Sequence, residues 1–368
     1  MKRFCLKTKE YLPLFSVVMV ILALISAIFY IIVLSSTKFA DFFNYNLSSI
    51  ARQIMAWSTT WIPFSIAELL IIISPIWIGL LIFLAVKYGK RGLKPTVRYL
   101  SVIISILLYI FITFVWTYSS GFHTTTIDKQ LELDKESVTD ADVYSTTIKI
   151  IDILNSLANE VNYDENGSST LPYSYRKLSA KICDAYKAYE KKHGVIKTFK
   201  SQIKPIILSE PMTYTHISGV YTFMTGEGNV NTNYPDFIVT TSAAHELSHQ
   251  RGVAREDEAN FTAFAVLINS DDAFLKYSAY LDVFMTVSNQ LYQIDKEKYK
   301  EALSMLDMRI KGDLAYYSEF FEKYADSKAS DISDKINDSY LQANGQENGT
   351  KSYNMIVELT CAYMKKYL

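Results

Sequence analysis

Hydrophobic patterning splits the chain into an apolar first third and an ordinary globular remainder. Three apolar runs, about 12–34, 66–86 and 99–118, each reach the roughly 20 helical residues that cross a bilayer. The first and third carry no charge, and the second carries only Glu68 near its start. The first run is too long and bulky for a signal-peptide core, so it reads as an anchor. Basic residues precede it (Lys2, Arg3, Lys7, Lys9) and fill the second loop (Lys87, Lys90, Arg91, Lys94, Arg98). The loop over about 35–65 holds only Lys38 and Arg52. Basic loops stay in the cytoplasm, so the amino terminus is expected there, with everything after Gly121 outside it. The pattern thus predicts a multi-pass protein of the cell membrane, with residues 1–121 as the anchor and 122–368 as an extracytoplasmic domain. Phe39, Phe42, Phe43, Trp57 and Trp61 in the first loop suit either a segment at the lipid interface or a solvated loop. Glu68 alone gives little support for transport, which uses several intramembrane polar groups.

Beyond about Thr124, apolar residues recur three and four apart over 143–161, 175–192 and 273–292, which predicts helices. Turn formers over Tyr163–Pro172 predict a loop. The segments 218–224 (SGVYTFM) and 236–241 (DFIVTT) read as two short strands, joined by the turn-rich 226–235. Helices resume after Asp295, break over 343–352 (ANGQENGTKS), and end in an amphipathic helix near 353–367. The fold class is therefore three transmembrane helices plus a mainly α, α+β domain with a small sheet. A net charge of −1 gives no basic field for nucleic acid. Three cysteines without a CxxC pair argue against a thiolate metal site. Cys183 and Cys361 are either bonded to each other or two buried thiols.

The segment that carries chemistry begins at Thr240, where His245-Glu246-Leu247-Ser248-His249 spells H-E-x-x-H. On a helix, residues four apart share a face, so both imidazoles can grip one ion at about 2.0–2.1 Å. Glu246 beside the first ligand can reach a water on the metal and act as the catalytic base. Thr241 or Ser242 is the expected N-cap. Gly252, three residues past His249, permits a left-handed stop and a new helix near Arg255. Glu256 opens that helix and is the expected third metal ligand, with Glu258 as its rival. Asn260 shares the Glu256 face and is placed to orient a ligand. The small Ala259 and Ala263 allow the two helices to approach closely.

The motif resembles the zincin metallopeptidases, and E-x-x-A-N-F-x-A-F-A from Glu256 is similar to their glutamate-ligand branch, where E-x-x-A-D supplies the third ligand. That resemblance implies Glu256 as ligand, with Asn260 at the usual aspartate's place. Glu256 follows His249 by only seven residues, a shorter spacing than that branch has. The glycine after the second histidine resembles H-E-x-x-H-x-x-G-x-x-H, although Arg255 stands at its last position. SGVYTFMTGEGNVN, HELSHQRGVAREDEANF and NDSYLQANGQENGTKSY, with the three spans, resemble a bacterial membrane family catalogued as domain of unknown function 3810. This resemblance implies a zincin-type fold and supplies no substrate.

The expected activity is a membrane-anchored, zinc-dependent peptidase using one Zn2+, with Glu246 activating water and a peptide or protein as substrate. The strand near Asp236–Thr240 or the one at Gly219–Met224 would bind an extended substrate by strand addition. Glu227, Asn229 and Asn231 are candidates for lining the cleft, or for simply making the turn. Tyr221, Tyr234 and Tyr353 are candidate oxyanion donors, Tyr353 also a substrate contact, among 27 tyrosines that are mostly structural. His123, His193 and His216 show no partner pattern and read as surface or core residues. The alternatives are a non-catalytic receptor or scaffold with a structural metal site, or a zinc amidase acting on cell-wall peptides.

Overall fold

The computed structural model describes residues 11–325, 327–344 and 353–368. The basic cluster before the first span and most of the break over 343–352 lie outside the described residues. Helix α1 (Leu14–Ser35) and the long α6 (Leu93–Thr117) are each long and apolar enough to cross a membrane. The run expected as one straight helix over 66–86 is instead two, α4 (Ile66–Ile72) and α5 (Ser74–Gly89), bent by 60°. Pro75 at the start of α5 explains the break, because proline suits a first helical turn but not a helix interior. The chain therefore has two candidate spans, or three if the bent pair counts as one.

The first loop is helical, not irregular. It forms α2 (Thr37–Phe42), a π-helical stretch over Phe43–Ser48, and α3 (Ser49–Thr60). Arg52 of α3 is fully buried and donates to the Asn44 side chain and carbonyl and to the Thr117 carbonyl. Two carboxylates tie this region to the rest of the chain. Glu227 accepts from the Ile66 and Ala67 N–H groups at 3.1 and 3.0 Å, which caps α4. Glu68 returns the arrangement, accepting from Ile207 and Leu208 at 3.0 and 2.7 Å. Lys204 donates to the carbonyls of Thr59 and Ile62.

The remainder is mainly helical around one core. Predicted helices appear as α8 (Asp140–Leu157), α9 (Tyr175–His193), α13 (Ala273–Ile294) and the last helix, α17 (Tyr353–Tyr367). Between them lie α7 (Ile127–Gln130), α10 (Ser209–Thr213), α11 (Asp236–Gln250), α12 (Glu256–Leu267), α14 (Lys296–Ser304), α15 (Met308–Glu322) and α16 (Lys328–Ala343). Within the loop expected at 163–172 the chain makes a minimal hairpin, β1 (Asn162–Tyr163) with β2 (Ser169–Thr170). A three-stranded sheet has the order β3 (Lys204–Pro205), β5 (Glu227–Val230), β4 (Gly219–Thr222). β5 pairs parallel with β3 and antiparallel with β4, with Tyr221 opposite Gly228.

Two expectations about this sheet need correction. The DFIVTT segment is the first turn and a half of α11, not a strand, so neither Thr241 nor Ser242 is the cap. Pro235 stands at the N-cap, and the β-branched residues after it are buried on all sides, where tertiary packing overrides propensity. The second strand is instead Glu227–Val230, inside the segment read as pure turn. Its polar residues are buried and hydrogen-bonded within the fold, Asn229 through its amide nitrogen, which a composition-based reading cannot see. Cys183 and Cys361 are both free thiols.

Candidate metal centre

Helix α11 carries His245 and His249 one turn apart, with ring centroids 4.5 Å apart and the rings perpendicular. Gly252 at φ +98° ends the helical path in the left-handed region. Its backbone packs so tightly on Arg52 that a Cβ there would lie 2.6 Å from the guanidinium. The chain then restarts at Glu256, and the Glu256 carboxylate swings back to both histidines. Its Oε2 lies 3.2 Å from His245 Nε2 and 3.5 Å from His249 Nε2. All three ligand atoms fall within 4.8 Å of one another. Tetrahedral ligands at zinc distances stand about 3.3–3.4 Å apart, and charge-assisted hydrogen bonds are about 2.7–2.9 Å. The two observed separations are compatible with the edges of a metal site and also with a His–Glu ion pair.

The same groups are strongly coupled by charge. Burial alone would lower His249, but the Glu256 carboxylate outweighs it and lifts the imidazole to about 9. Burial alone would raise Glu256, yet the two imidazoles hold it well below the usual carboxylate range. This carboxylate and these rings need each other, or a cation among them. His249 Nδ1 faces the Val253 carbonyl at 2.7 Å, which leaves Nε2 to point at the site. Among the described residues, His245 Nδ1 and Glu246 Oε2 are buried without a hydrogen-bond partner.

Glu246 is buried beside the first ligand, and burial pushes its carboxyl up to about 7, opposed by the two histidines. The backbone N–H of Tyr221 donates to it. It fits only because position 219 lacks a side chain: a Cβ there would stand 2.5 Å from Glu246 Oε1. Gly228 gives similar room, with 3.2 Å to the Glu246 Cβ. A cavity of about 800 Å³ opens over the site, lined by His245, Glu246 and Glu256 and by Asn260, Asp282, Tyr234 and His216 among others.

Of the two candidate third ligands the structure brings Glu256 to the histidines and takes Glu258 away. Glu258 is buried in a bond with Arg255 at 2.9 Å and accepts from the Ile127 N–H at 3.1 Å. Asn260 lines the cavity. The residues proposed for the cleft are elsewhere. Glu227 caps α4, Asn229 donates to the Val220 and Glu227 carbonyls, and Asn231 donates to Thr213 and the Ile217 carbonyl. All three are buried and hold the fold, because a tight antiparallel turn must satisfy its own polar groups. Tyr221 does not line the cavity; its hydroxyl is buried toward Arg52 and Thr117. Tyr234 does line it. Tyr353 opens α17, and its side chain lies outside the described residues.

Three residues at the site had no signal in the motif. Tyr118, the residue after α6, puts its hydroxyl 3.4 Å from His249 Nδ1. Asp282 of α13 lines the cavity, where burial pushes it up to about 6 against a Thr241 hydrogen bond and the His245 charge. His216, at φ +58°, lines the cavity with its Nε2 on the Tyr324 carbonyl at 2.8 Å.

No curated protein and no solved structure matches the chain. One family model does, over residues 43–361, so its match begins inside the first loop, takes in Arg52 and the motif helix, and ends within the last helix. The chain belongs to the family described as protein of unknown function DUF3810.

Proposed function

We propose that this chain is a membrane-anchored, zincin-type metallopeptidase that hydrolyses peptide bonds outside the cytoplasm. The observation that carries the reading is the convergence of His245, His249 and a Glu256 oxygen within 4.8 Å of one another, with Glu246 alongside and an open cavity above. The donor set of two imidazoles and a carboxylate favours zinc among the common divalent ions. Bound there, zinc would polarise a substrate carbonyl and ease deprotonation of water. Glu246, with one oxygen unpartnered by protein, takes the proton of the attacking water and passes it to the leaving amine. Its burial excludes competing solvent, and Gly219 lets it sit flush against β4. β4 is an edge strand running past Glu246, which suits an extended substrate laid along it. Tyr234 and His216 on the cavity wall are candidate polar groups for a developing oxyanion. The positive-inside pattern of the loops supports an outer-side position for this cavity.

A purely structural metal site would not require an 800 Å³ opening at its ligands. The test is Glu246→Gln in the full chain. Hydrolysis of peptide substrates should fall by about 10²–10⁴-fold, with zinc content and melting temperature preserved. Hydrolysis that survives this substitution refutes the mechanism.

A further inference from the structure

We propose that the substrate is a polypeptide tethered in the same bilayer and cut where it leaves the hydrocarbon, since the metal centre sits at bilayer depth and not above it. This inference rests on the peptidase reading and specifies its substrate. Helices α1 and α6 run side by side in the same direction. Ser16 Oγ meets Ser101 Oγ at 3.3 Å, and Trp116 Nε1 donates to Ser26 Oγ at 2.9 Å. Past Ser26, α1 still presents Ile28, Ile31 and Leu34, exposed by 59%, 61% and 51%. At 1.5 Å per residue these lie roughly 3–12 Å further out than the Ser26–Trp116 contact. A charge-free helix with such a surface needs hydrocarbon around it, so the bilayer core extends to that level. Tyr118 is two residues past Trp116, and its hydroxyl touches His249. The metal centre therefore lies within one tyrosine's reach of lipid-facing isoleucines.

A second line of contacts agrees. The β4–β5 turn descends beside α6, with Phe223 against Phe114 at 5.5 Å and the Tyr109 hydroxyl donating to the Met224 carbonyl at 3.0 Å. Tyr109 stands about 12 Å before the end of α6 along its axis. The turn is thus level with the span itself. Ile207 and Leu208, pinned by Glu68 to the first turn of α4, are exposed apolar residues beside the second span. Exposed Trp57 and Trp61 lie on the segment entering that span, where indoles favour the interface. β4 consequently leads from Glu246, at Gly219, toward the bilayer at its turn. An extended chain leaving the same leaflet covers that distance in about four residues.

The experiment uses the full chain, zinc-loaded, in vesicles of phosphatidylethanolamine and phosphatidylglycerol. The probe is a randomised peptide pool joined to a dipalmitoyl anchor through polar spacers of up to about 20 residues, with the same pool unanchored beside it. Cut positions are read by mass spectrometry against a Glu246→Gln blank. The expected result is cleavage confined to about the first five residues beyond the anchor, falling tenfold or more as the spacer passes about ten. Equal cleavage of the free pool, or cut sites indifferent to spacer length, overturns the substrate assignment and leaves the peptidase reading standing. No cleavage of either pool above the blank overturns both. Depth is read independently from a nitroxide at Met224→Cys, with Cys5, Cys183 and Cys361 replaced by alanine. Relaxation by oxygen exceeding that by a nickel chelate is expected, and the reverse overturns the placement whatever the activity.

Discussion

Two groups at the candidate metal centre, His249 and Glu246, are held by backbone contacts outside H-E-x-x-H itself. The Val253 carbonyl fixes His249, the Tyr221 N–H holds Glu246, and Arg255 binds Glu258 away from the ligands. The two histidines, Glu246 and Glu256 were legible because helical spacing and a glycine stop act within a few residues of one another. Tyr118 and Asp282 were not, since they arrive from 131 residues before His249 and from a separate helix, and no local period records them. Glu227, Asn229 and Asn231 look like cleft residues in the sequence because a buried segment that bonds its neighbours through polar side chains has the composition of a polar cleft. The tightest local fit gives a prediction. Gly219→Ala forces a Cβ against Glu246 Oε1, so it should lower the hydrolytic rate while leaving zinc content unchanged. Unaltered turnover in that variant would show that the Glu246 position is not constrained by β4.

Among the elements, the helices with clear three–four periodicity were read almost to their ends, α9 and α13 above all. α11 began six residues early because a β-branched run that is buried all round loses its strand signature. The bend between α4 and α5 was hidden by uniform hydrophobicity, in which one proline is easily overlooked. α8 opens on a full capping box, with the Asp142 carboxylate accepting from the Thr139 N–H at 2.9 Å. The Thr139 hydrogen bonds hold Asp142 down to about 2, with Lys365 adding to the effect. A carboxylate depressed in the fold stabilises it above the ordinary carboxylate range, and that contribution is lost as pH falls from about 4 through about 2. Thr139→Ala should therefore lower the melting temperature at pH 6, and the gap to wild type should narrow below about pH 4. A gap that is constant with pH would show that the box adds nothing through charge.

For the whole molecule, the apolar third is more than an anchor. Arg52 supports the Gly252 turn, Asn44 donates to the Gly252 carbonyl, and Glu227 and Glu68 strap the bent pair α4 and α5 to the sheet. Loop charge and hydropathy mark where spans lie, but not that the segment between them packs on the turn following the motif helix. A fragment of residues 122–368 loses Arg52, Asn44 and Tyr118 together and strips Glu227 and Lys204 of the backbone groups they bond to. That fragment should be aggregated or molten by circular dichroism and hydrogen exchange. If it folds and binds zinc like the full chain, the platform role is wrong.

The most direct test of the central claim is metal content by mass spectrometry on the purified full chain. Wild type and Glu246→Gln should each retain about one zinc per chain, Glu258→Ala should retain it, and His249→Ala and Glu256→Ala should lose it, as expected when one of three protein ligands is removed. Zinc retained after Glu256→Ala, or none bound by wild type, would contradict the convergence of these side chains on a single cation.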